Sequence, residues 1–139
     1  MEFGQDITAD TIVDDLSFFD SWEDRYRYII DLGKSLPEFD ESGRIDANLV
    51  RGCQSQVWLT SEASNDHLYF QVDSDAHIVR GLLAIVLAAF QGRTAAEILA
   101  FDVDNYFARL HLLQHISPTR GNGLKAMVER IRNVAHVHS

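Results

Sequence analysis

The sequence predicts an α+β fold in which a small antiparallel β-sheet of about three strands packs against several α-helices. Three observations lead to this prediction. Apolar residues recur at helical spacing over the first third of the chain, apolar and polar residues alternate over residues 68–72, and residues 78–90 are apolar on nearly every side. A short hairpin between helical segments is typical of this class.

The length and composition indicate one domain. The chain has 139 residues, of which 46% are hydrophobic and 24% are charged, as in an ordinary globular protein. A chain of this size buries about two-thirds of its unfolded surface, so it needs neither a disulfide nor a metal ion for stability. We therefore expect a single domain over residues 1–139.

The charge limits the partners that the protein can have. Twelve basic and 21 acidic residues give a formal net charge of −9. Nucleic acids and anionic membranes bind basic surfaces, so neither is expected as a partner. The longest apolar run, residues 82–90, is about half as long as a membrane span, and the N-terminus resembles no targeting segment. We expect a cytoplasmic protein.

The first third of the chain predicts two helices. Apolar residues at helical spacing between positions 12 and 19 indicate the first helix. Ser21 is a suitable N-cap for the second helix, and Pro37 should end it, because the residue before a proline avoids helical backbone angles. Residues 38–48 are polar and irregular, which predicts a loop.

A β-hairpin should follow this loop. Residues 56–61 are rich in strand formers, Asn65-Asp66 is a turn signal, and residues 68–72 alternate in polarity. A third strand is expected near residues 45–50, beside the hairpin.

The second half of the chain predicts a return to helix. Residues 73–75, Asp-Ser-Asp, should end the hairpin and cap a central helix over residues 78–90. Residues 94–97, Thr-Ala-Ala-Glu, form a capping box for a short helix. Residues 106–115 predict another helix, and Ser-Pro at residues 117–118 should start the last one.

Cys53, the only cysteine, is the first candidate for chemistry. Gly52 before it allows a sharp turn, and Gln54 after it is polar and uncharged. Arg51 adds a cation to a stretch, residues 47–61, that contains no acidic residue. Because a nearby cation favours the nucleophilic thiolate, we expect Arg51 to activate Cys53; a buried, inert cysteine is the alternative.

His115 and Arg120 are candidates for supporting roles. His111 and His115 would share a helix face, but the zinc-protease glutamate and a third ligand are missing, so no metal site is expected. His115 is instead a candidate for a supporting group near Cys53. Arg120 lies in the first turn of the last predicted helix, where cations are disfavoured. This placement makes it a candidate latch that holds the Cys53 loop by a hydrogen bond.

Four separated segments carry a family resemblance: WEDRYRYIIDLG at 22–33, GCQSQVW at 52–58, DSDAHIVRGL at 73–82 and QHISPTRG at 114–121. Together they resemble the SufE family of sulfur-acceptor proteins, including its CsdE branch. The resemblance covers about residues 10–135 in colinear order, without large gaps. It implies a fold shared with IscU-type scaffolds, a small sheet packed on helices.

The resemblance also implies a function as a persulfide carrier. In this family the cysteine that matches Cys53 accepts sulfur from the persulfide of a PLP-dependent cysteine desulfurase, SufS-like or CsdA-like. It stimulates that enzyme and delivers the sulfur to an iron–sulfur cluster scaffold complex. The chain would hold no cofactor or metal itself and would act as a transfer partner rather than an enzyme with independent turnover. The resemblance does not settle whether the protein forms a homodimer.

Two interpretations from other classes remain beside the carrier. One is a stand-alone cysteine-dependent hydrolase or peroxidase, and the other is a non-catalytic acidic adaptor in which the cysteine is incidental. The carrier interpretation adds the expectation that Cys53 is sheltered at rest, because an exposed persulfide is readily reduced or oxidised. Val50, Val57 and Trp58 are the apolar neighbours expected to shelter it.

Overall fold

The computed structural model describes residues 2–139, which form six α-helices and a three-stranded antiparallel sheet. In chain order the helices are α1 (Ala9–Ser17), α2 (Trp22–Lys34), α3 (His77–Phe90), α4 (Ala95–Ala100), α5 (Val103–Leu110) and α6 (Pro118–Val137). The strands are β1 (Val57–Ser64), β2 (His67–Ser74) and β3 (Arg93–Thr94), and they lie in the order β1-β2-β3. The predicted α+β class is confirmed.

The hairpin of β1 and β2 lies where the alternating pattern predicts it. Asn65 and Asp66 form the two-residue connection, with φ angles of 53° and 68°, as a type I′ turn requires. The register pairs Ser64 with His67 at the turn and Val57 with Ser74 at the far end. The hairpin therefore brings the beginning of β1, just after Cys53, beside the beginning of α3.

The third strand lies elsewhere than the sequence predicts. Residues 45–50 form a short 3₁₀ turn, Asp46–Asn48, and a single bridge between Leu49 and Trp58. The third strand of the sheet is β3, which pairs with β2 on the side away from β1. A two-residue strand is too short to show an alternating pattern, which is why the sequence does not reveal it.

Helix α3 is buried along almost its entire length, as its apolar composition predicts. Every residue from 81 to 90 is buried, and the helix packs against α1, α2, α6 and β2. Two glycines allow α2 and α3 to approach closely: a Cβ atom on Gly33 would lie only 2.6 Å from the backbone nitrogen of Gly81. The crossing of these two helices therefore has no room for a side chain at either position.

Residues 73–75 do not cap α3, contrary to the prediction. The N-cap is Ala76, and no side chain accepts a hydrogen bond from the first turn. Asp73 is only 7% exposed and forms ion pairs with Arg44 and Arg80, and the Asp75 carboxylate instead accepts a hydrogen bond from the Gln56 backbone N–H. The end of β2 therefore contacts both α3, through Arg80, and other segments, through Arg44 and Gln56, without capping the first turn of the helix.

Three further helix starts agree with their predicted signals, whereas α5, predicted to begin at residue 106, begins at Val103. Ser21 caps α2, residues 94–97 form the capping box of α4, and α6 begins at Pro118 after its N-cap, Ser117. Helix α5, predicted to reach residue 115, ends at Leu110, because His111 adopts a left-handed conformation with a φ angle of 54°.

The early end of α5 separates the two histidines that were considered as metal ligands. Because His111 ends the helix, His111 and His115 do not share a helix face. Within residues 2–139 no group of three or more potential ligands could hold a metal ion. None of the helices in this part of the chain is both long and apolar enough to cross a membrane.

The close crossing of α2 and α3 leads to a stability prediction. In Gly81→Ala the new methyl group meets the Ile29 backbone and lies 2.7 Å from its side-chain Cγ2. We expect this overpacking to lower the free energy of unfolding by about 1–3 kcal/mol in a urea titration. Gly121→Ala in α6 is the control, because its Cβ would lie 3.6 Å from Leu113 in ordinary contact. The control should be neutral or stabilising by up to about 1 kcal/mol. Equal stability of the two variants would contradict the tight crossing.

Candidate functional site

Cys53 lies on a six-residue loop, residues 51–56, which we call the Cys53 loop. A backbone hydrogen bond of 2.8 Å from Val50 to Val57 closes the loop at its base. Gly52 has a φ angle of +94°, in the left-handed region, and a Cβ there would lie 3.3 Å from the Cβ of Ala126 in α6. The turn before the cysteine therefore favours glycine on conformational grounds.

The thiol of Cys53 faces inward and is half-buried. Its Sγ atom lies 3.5 Å from the backbone carbonyl oxygen of Gly123 in α6, to which the S–H donates a weak hydrogen bond. A Cβ atom on Gly123 would lie only 3.4 Å from Sγ. Gly123 thus allows the sulfur to rest directly against the α6 backbone.

A cavity of about 40 Å³ adjoins the thiol, which is room for about one water-sized group. Three different parts of the chain line it, and their residues are Cys53, Gln54, Ser55, Val79, Leu82, Thr119, Arg120, Gly123 and Met127. The lining is apolar where α3 and the middle of α6 contribute and polar where the loop and the start of α6 contribute. The cavity can therefore hold a small uncharged or weakly polar group next to the sulfur.

The sequence-based expectation named other residues as the shelter of Cys53. Val50, Val57 and Trp58 are buried, but they belong to the general core and do not line the cavity. The apolar lining comes instead from α3 and α6, distant in sequence from the loop. The helical periodicity of these segments marks their residues as core, and nothing in the pattern distinguishes those that face the cysteine.

Burial raises the pKa of the Cys53 thiol above its ordinary value, because removing water penalises the thiolate. This direction is opposite to the one expected from Arg51, which does not appear among the causes of the shift. Arg51 is exposed and does not line the cavity, so desolvation of the sulfur has the larger effect. In this conformation burial favours the thiol form of Cys53 over the thiolate.

Arg120 lines the cavity, but its hydrogen bond goes elsewhere than expected. Its guanidinium donates to the Tyr26 hydroxyl of α2 at 3.0 Å rather than to the Cys53 loop. The loop is held from the other side by Asp75. The Asp75 carboxylate accepts from the Gln56 N–H at 3.1 Å, and the Asp75 N–H donates to the Gln56 carbonyl at 3.3 Å.

His115 is not among the residues that line the cavity. Its ring stacks on Trp22 of α2, with ring centroids 3.8 Å apart, and its Nδ1–H donates to the His111 carbonyl. Of the residues singled out by sequence, Gln54 and Arg120 thus join Cys53 at the cavity, whereas Arg51 and His115 do not. The sequence did not single out Gly123 or the other lining residues of α3 and α6, which are Val79, Leu82, Thr119 and Met127.

The raised pKa predicts how alkylation and stability change with pH. At pH 7 iodoacetamide should react with Cys53 about tenfold more slowly in the folded protein than in the urea-unfolded chain, because less thiolate is present and the sulfur is half-buried. The folded protein holds this proton more tightly, so its free energy of unfolding should fall as the pH rises past the ordinary thiol pKa of about 8.5. Cys53→Ser should lack that fall. If iodoacetamide reacts with Cys53 equally fast in the folded and the unfolded protein, the thiol does not face inward.

The two hydrogen bonds between Asp75 and Gln56 predict which residue holds the loop. Asp75→Ala removes the carboxylate acceptor and should raise the alkylation rate of Cys53 about fivefold, the equivalent of one hydrogen bond of about 1 kcal/mol. Asp75→Asn keeps an acceptor oxygen and should change the rate much less. If both variants react like the wild-type protein, the carboxylate does not hold the loop.

Comparisons with known proteins agree on one family. The profile of the SufE family, described as an Fe-S metabolism associated domain, matches residues 10–135. An uncharacterized SufE-like protein of Rhizobium meliloti is 52% identical over 132 residues, covering 92% of this chain and 94% of that protein. A second SufE-like protein, from Rhizobium etli, is 52% identical over 136 residues, covering 95% of this chain and 92% of that protein.

The fold has a counterpart among solved structures. The solution structure of a hypothetical protein from Thermus thermophilus superposes with a TM-score of 0.76 and covers 94% of each chain at 13% sequence identity. At that identity the likeness concerns the fold alone. The family profile and the two relatives go further, and they connect the chain to iron–sulfur metabolism. The chain belongs to the SufE family.

Proposed function

We propose that this protein is a persulfide carrier in which Cys53 accepts sulfur from a PLP-dependent cysteine desulfurase and passes it to an iron–sulfur cluster scaffold. The observation that carries the proposal is the inward-facing thiol beside a cavity of about 40 Å³. A carrier needs a single nucleophilic sulfur and a protected place for a second one. Both are present at the tip of the Cys53 loop.

The transfer is an exchange between sulfur atoms without net oxidation. The Cys53 thiolate attacks the outer sulfur of the donor persulfide and forms a new S–S bond. The S–S bond of the donor breaks, and its electron pair leaves with the sulfur of the donor cysteine as thiolate. Cys53 then carries the persulfide, and a second exchange of the same kind hands the outer sulfur to the acceptor.

The cavity suits the loaded form. A persulfide on Cys53 adds one sulfur atom, and the space beside Sγ is large enough for a group of about that size. Val79, Leu82 and Met127 supply apolar walls on one side of that space. In that place the outer sulfur is kept from thiols and oxidants in bulk solvent, which would otherwise release or oxidise it.

The same geometry couples reactivity to docking. At rest burial disfavours the thiolate and the S–H points toward the Gly123 carbonyl, so nucleophilic attack by Cys53 is disfavoured. Turning the loop outward removes the burial that raises the pKa and brings Sγ to the surface. A partner can drive this change only if it binds the open loop better than the closed one. We therefore expect the desulfurase to open the loop and to be stimulated by removal of its persulfide.

The hydrolase alternative lacks a general base beside Cys53, and the peroxidase alternative lacks a thiol with a lowered pKa, because burial raises the pKa of Cys53. Activation of a cysteine by a general base requires a histidine or carboxylate within hydrogen-bond reach. None of the cavity-lining residues in the described part of the chain is a histidine, aspartate or glutamate. The acidic adaptor, by contrast, makes no use of Cys53, and the experiment below separates it from the carrier.

Intact mass spectrometry tests the carrier. Incubation with a cysteine desulfurase, PLP and cysteine should add one sulfur mass to the protein, and Cys53→Ser should stay unmodified. Cys53→Ser/Ser61→Cys is the matched control, because it moves the only thiol to an exposed position on β1. That variant should neither load efficiently nor stimulate cysteine consumption.

Three results would point away from the carrier. Absence of any sulfur adduct on the wild-type protein would overturn it. Equal loading of the exposed cysteine would show that the cavity and the loop do not matter. An unchanged effect of Cys53→Ser on the desulfurase would favour the adaptor.

A further inference from the structure

A cluster of cationic and aromatic side chains adjoins the cavity and is not used by the transfer chemistry. The guanidinium carbon of Arg25 lies 5.2 Å from the ring centroid of Trp22, on which the ring of His115 also stacks. Tyr26, one turn along α2 from Trp22, accepts the hydrogen bond from Arg120. We call these five residues the α2–α6 patch.

The patch is continuous with the site. Arg120 belongs to both, because its side chain lines the cavity of Cys53 and bonds to Tyr26. Trp22, Arg25 and Tyr26 are each partly exposed, and His115 and Arg120 are exposed. A molecule bound on the patch therefore lies next to the Cys53 loop.

The charges of the patch contrast with the rest of the molecule. The chain carries a net charge of −9, yet within residues 2–139 no carboxylate lies within 4.0 Å of the guanidinium nitrogens of Arg25 or Arg120. Arg27, on the same helix, is paired with both Glu23 and Asp24. Arg25 instead donates from Nε to the Phe19 carbonyl oxygen, a neutral acceptor, so its positive charge is not compensated as that of Arg27 is.

The start of α6 adds to the local positive charge. Its first turn contains no acidic residue and carries Arg120, whereas α2 begins with Glu23 and Asp24. Acidic side chains normally compensate the positive end of a helix, and a cation there is disfavoured. An arginine without acidic neighbours therefore lies at the positive end of α6, beside the cavity. This positive surface can attract a negatively charged partner.

On these grounds we propose that the α2–α6 patch is the docking site for an acidic segment of the desulfurase. The inference rests on the proposed function. Two arginines without ion pairs attract carboxylates, and a half-exposed tryptophan and tyrosine provide the kind of anchor that dominates protein interfaces. Two arginines in a chain of net charge −9 are too small a basic footprint for a nucleic acid or a membrane.

The first experiment uses a hexaglutamate peptide as the probe. Titrated into the ¹⁵N-labelled full-length protein at about 50 mM NaCl, it should shift the indole N–H of Trp22 and the Nε–H signals of Arg25 and Arg120. The buried Trp58 indole is the internal reference. Arg25→Gln should weaken the peptide's binding about threefold or more, whereas Arg25→Lys, which keeps the charge, should retain most of it. Lys125→Gln, a change of an exposed cation elsewhere on α6, should have no effect.

The second experiment uses the desulfurase itself. Arg25→Gln should raise the carrier concentration that gives half-maximal stimulation about three- to tenfold at low salt, and less than about twofold near 0.5 M NaCl. The maximal stimulation and the extent of sulfur loading at saturation should stay unchanged, which shows that the variant is folded. Lys125→Gln should behave like the wild-type protein in every respect.

Each remaining outcome overturns part of the inference. If the peptide shifts the NMR signals of cations outside the patch, or shifts the same signals in Arg25→Gln as in the wild-type protein, the patch does not select acidic segments. The patch can bind the peptide although Arg25→Gln leaves the carrier concentration for half-maximal stimulation unchanged. That combination would show that the desulfurase docks elsewhere. If the wild-type protein accepts no sulfur, the proposed function fails, and with it the desulfurase as the partner. The peptide titration then still decides whether the patch binds acidic chains.

Discussion

Helix α3 must be covered on nearly every side, and this constraint arranges the rest of the molecule. Its residues 81–90 are all buried, so helices and the sheet have to surround it. The coverage is tightest at the crossing with α2, where Gly33 and Gly81 let the two backbones touch. Because interiors are packed at crystal-like density, the positions of the surrounding elements are set to within a small tolerance.

The site is a consequence of this packing. Val79 and Leu82 of α3 form one wall of the cavity, and α6, packed against the same helix, brings Gly123 up to the sulfur. The hairpin sets the base of the Cys53 loop, because β1 begins just after the loop and Asp75, the residue after the end of β2, bonds to Gln56. The thiol therefore lies where three separately supported elements meet.

The arrangement separates storage from reaction. Inside the closed loop the sulfur is partly dehydrated, which raises the pKa of the thiol, and it is hydrogen-bonded to a carbonyl; both features oppose nucleophilic attack. In the proposed function these properties protect the cargo, and reactivity returns only when a partner changes the loop. The cationic and aromatic side chains at the rim, above all Arg25 and Trp22, lie where such a partner would make contact.

The sequence by itself determined most of the local elements and singled out Cys53 as the candidate for chemistry. The period-two pattern, the Asn-Asp turn, the capping signals of α2, α4 and α6 and the apolar run of α3 are local signals, and each appears in the structure. Only the tertiary structure decided which residues surround Cys53, that burial outweighs Arg51, and that Arg120 bonds to Tyr26. It also decided the third strand and the end of α5 at His111. The lining of the cavity, the desolvation of the thiol and the ion pairs all depend on residues from distant parts of the chain. The pattern within one segment cannot predict which distant residues become its neighbours.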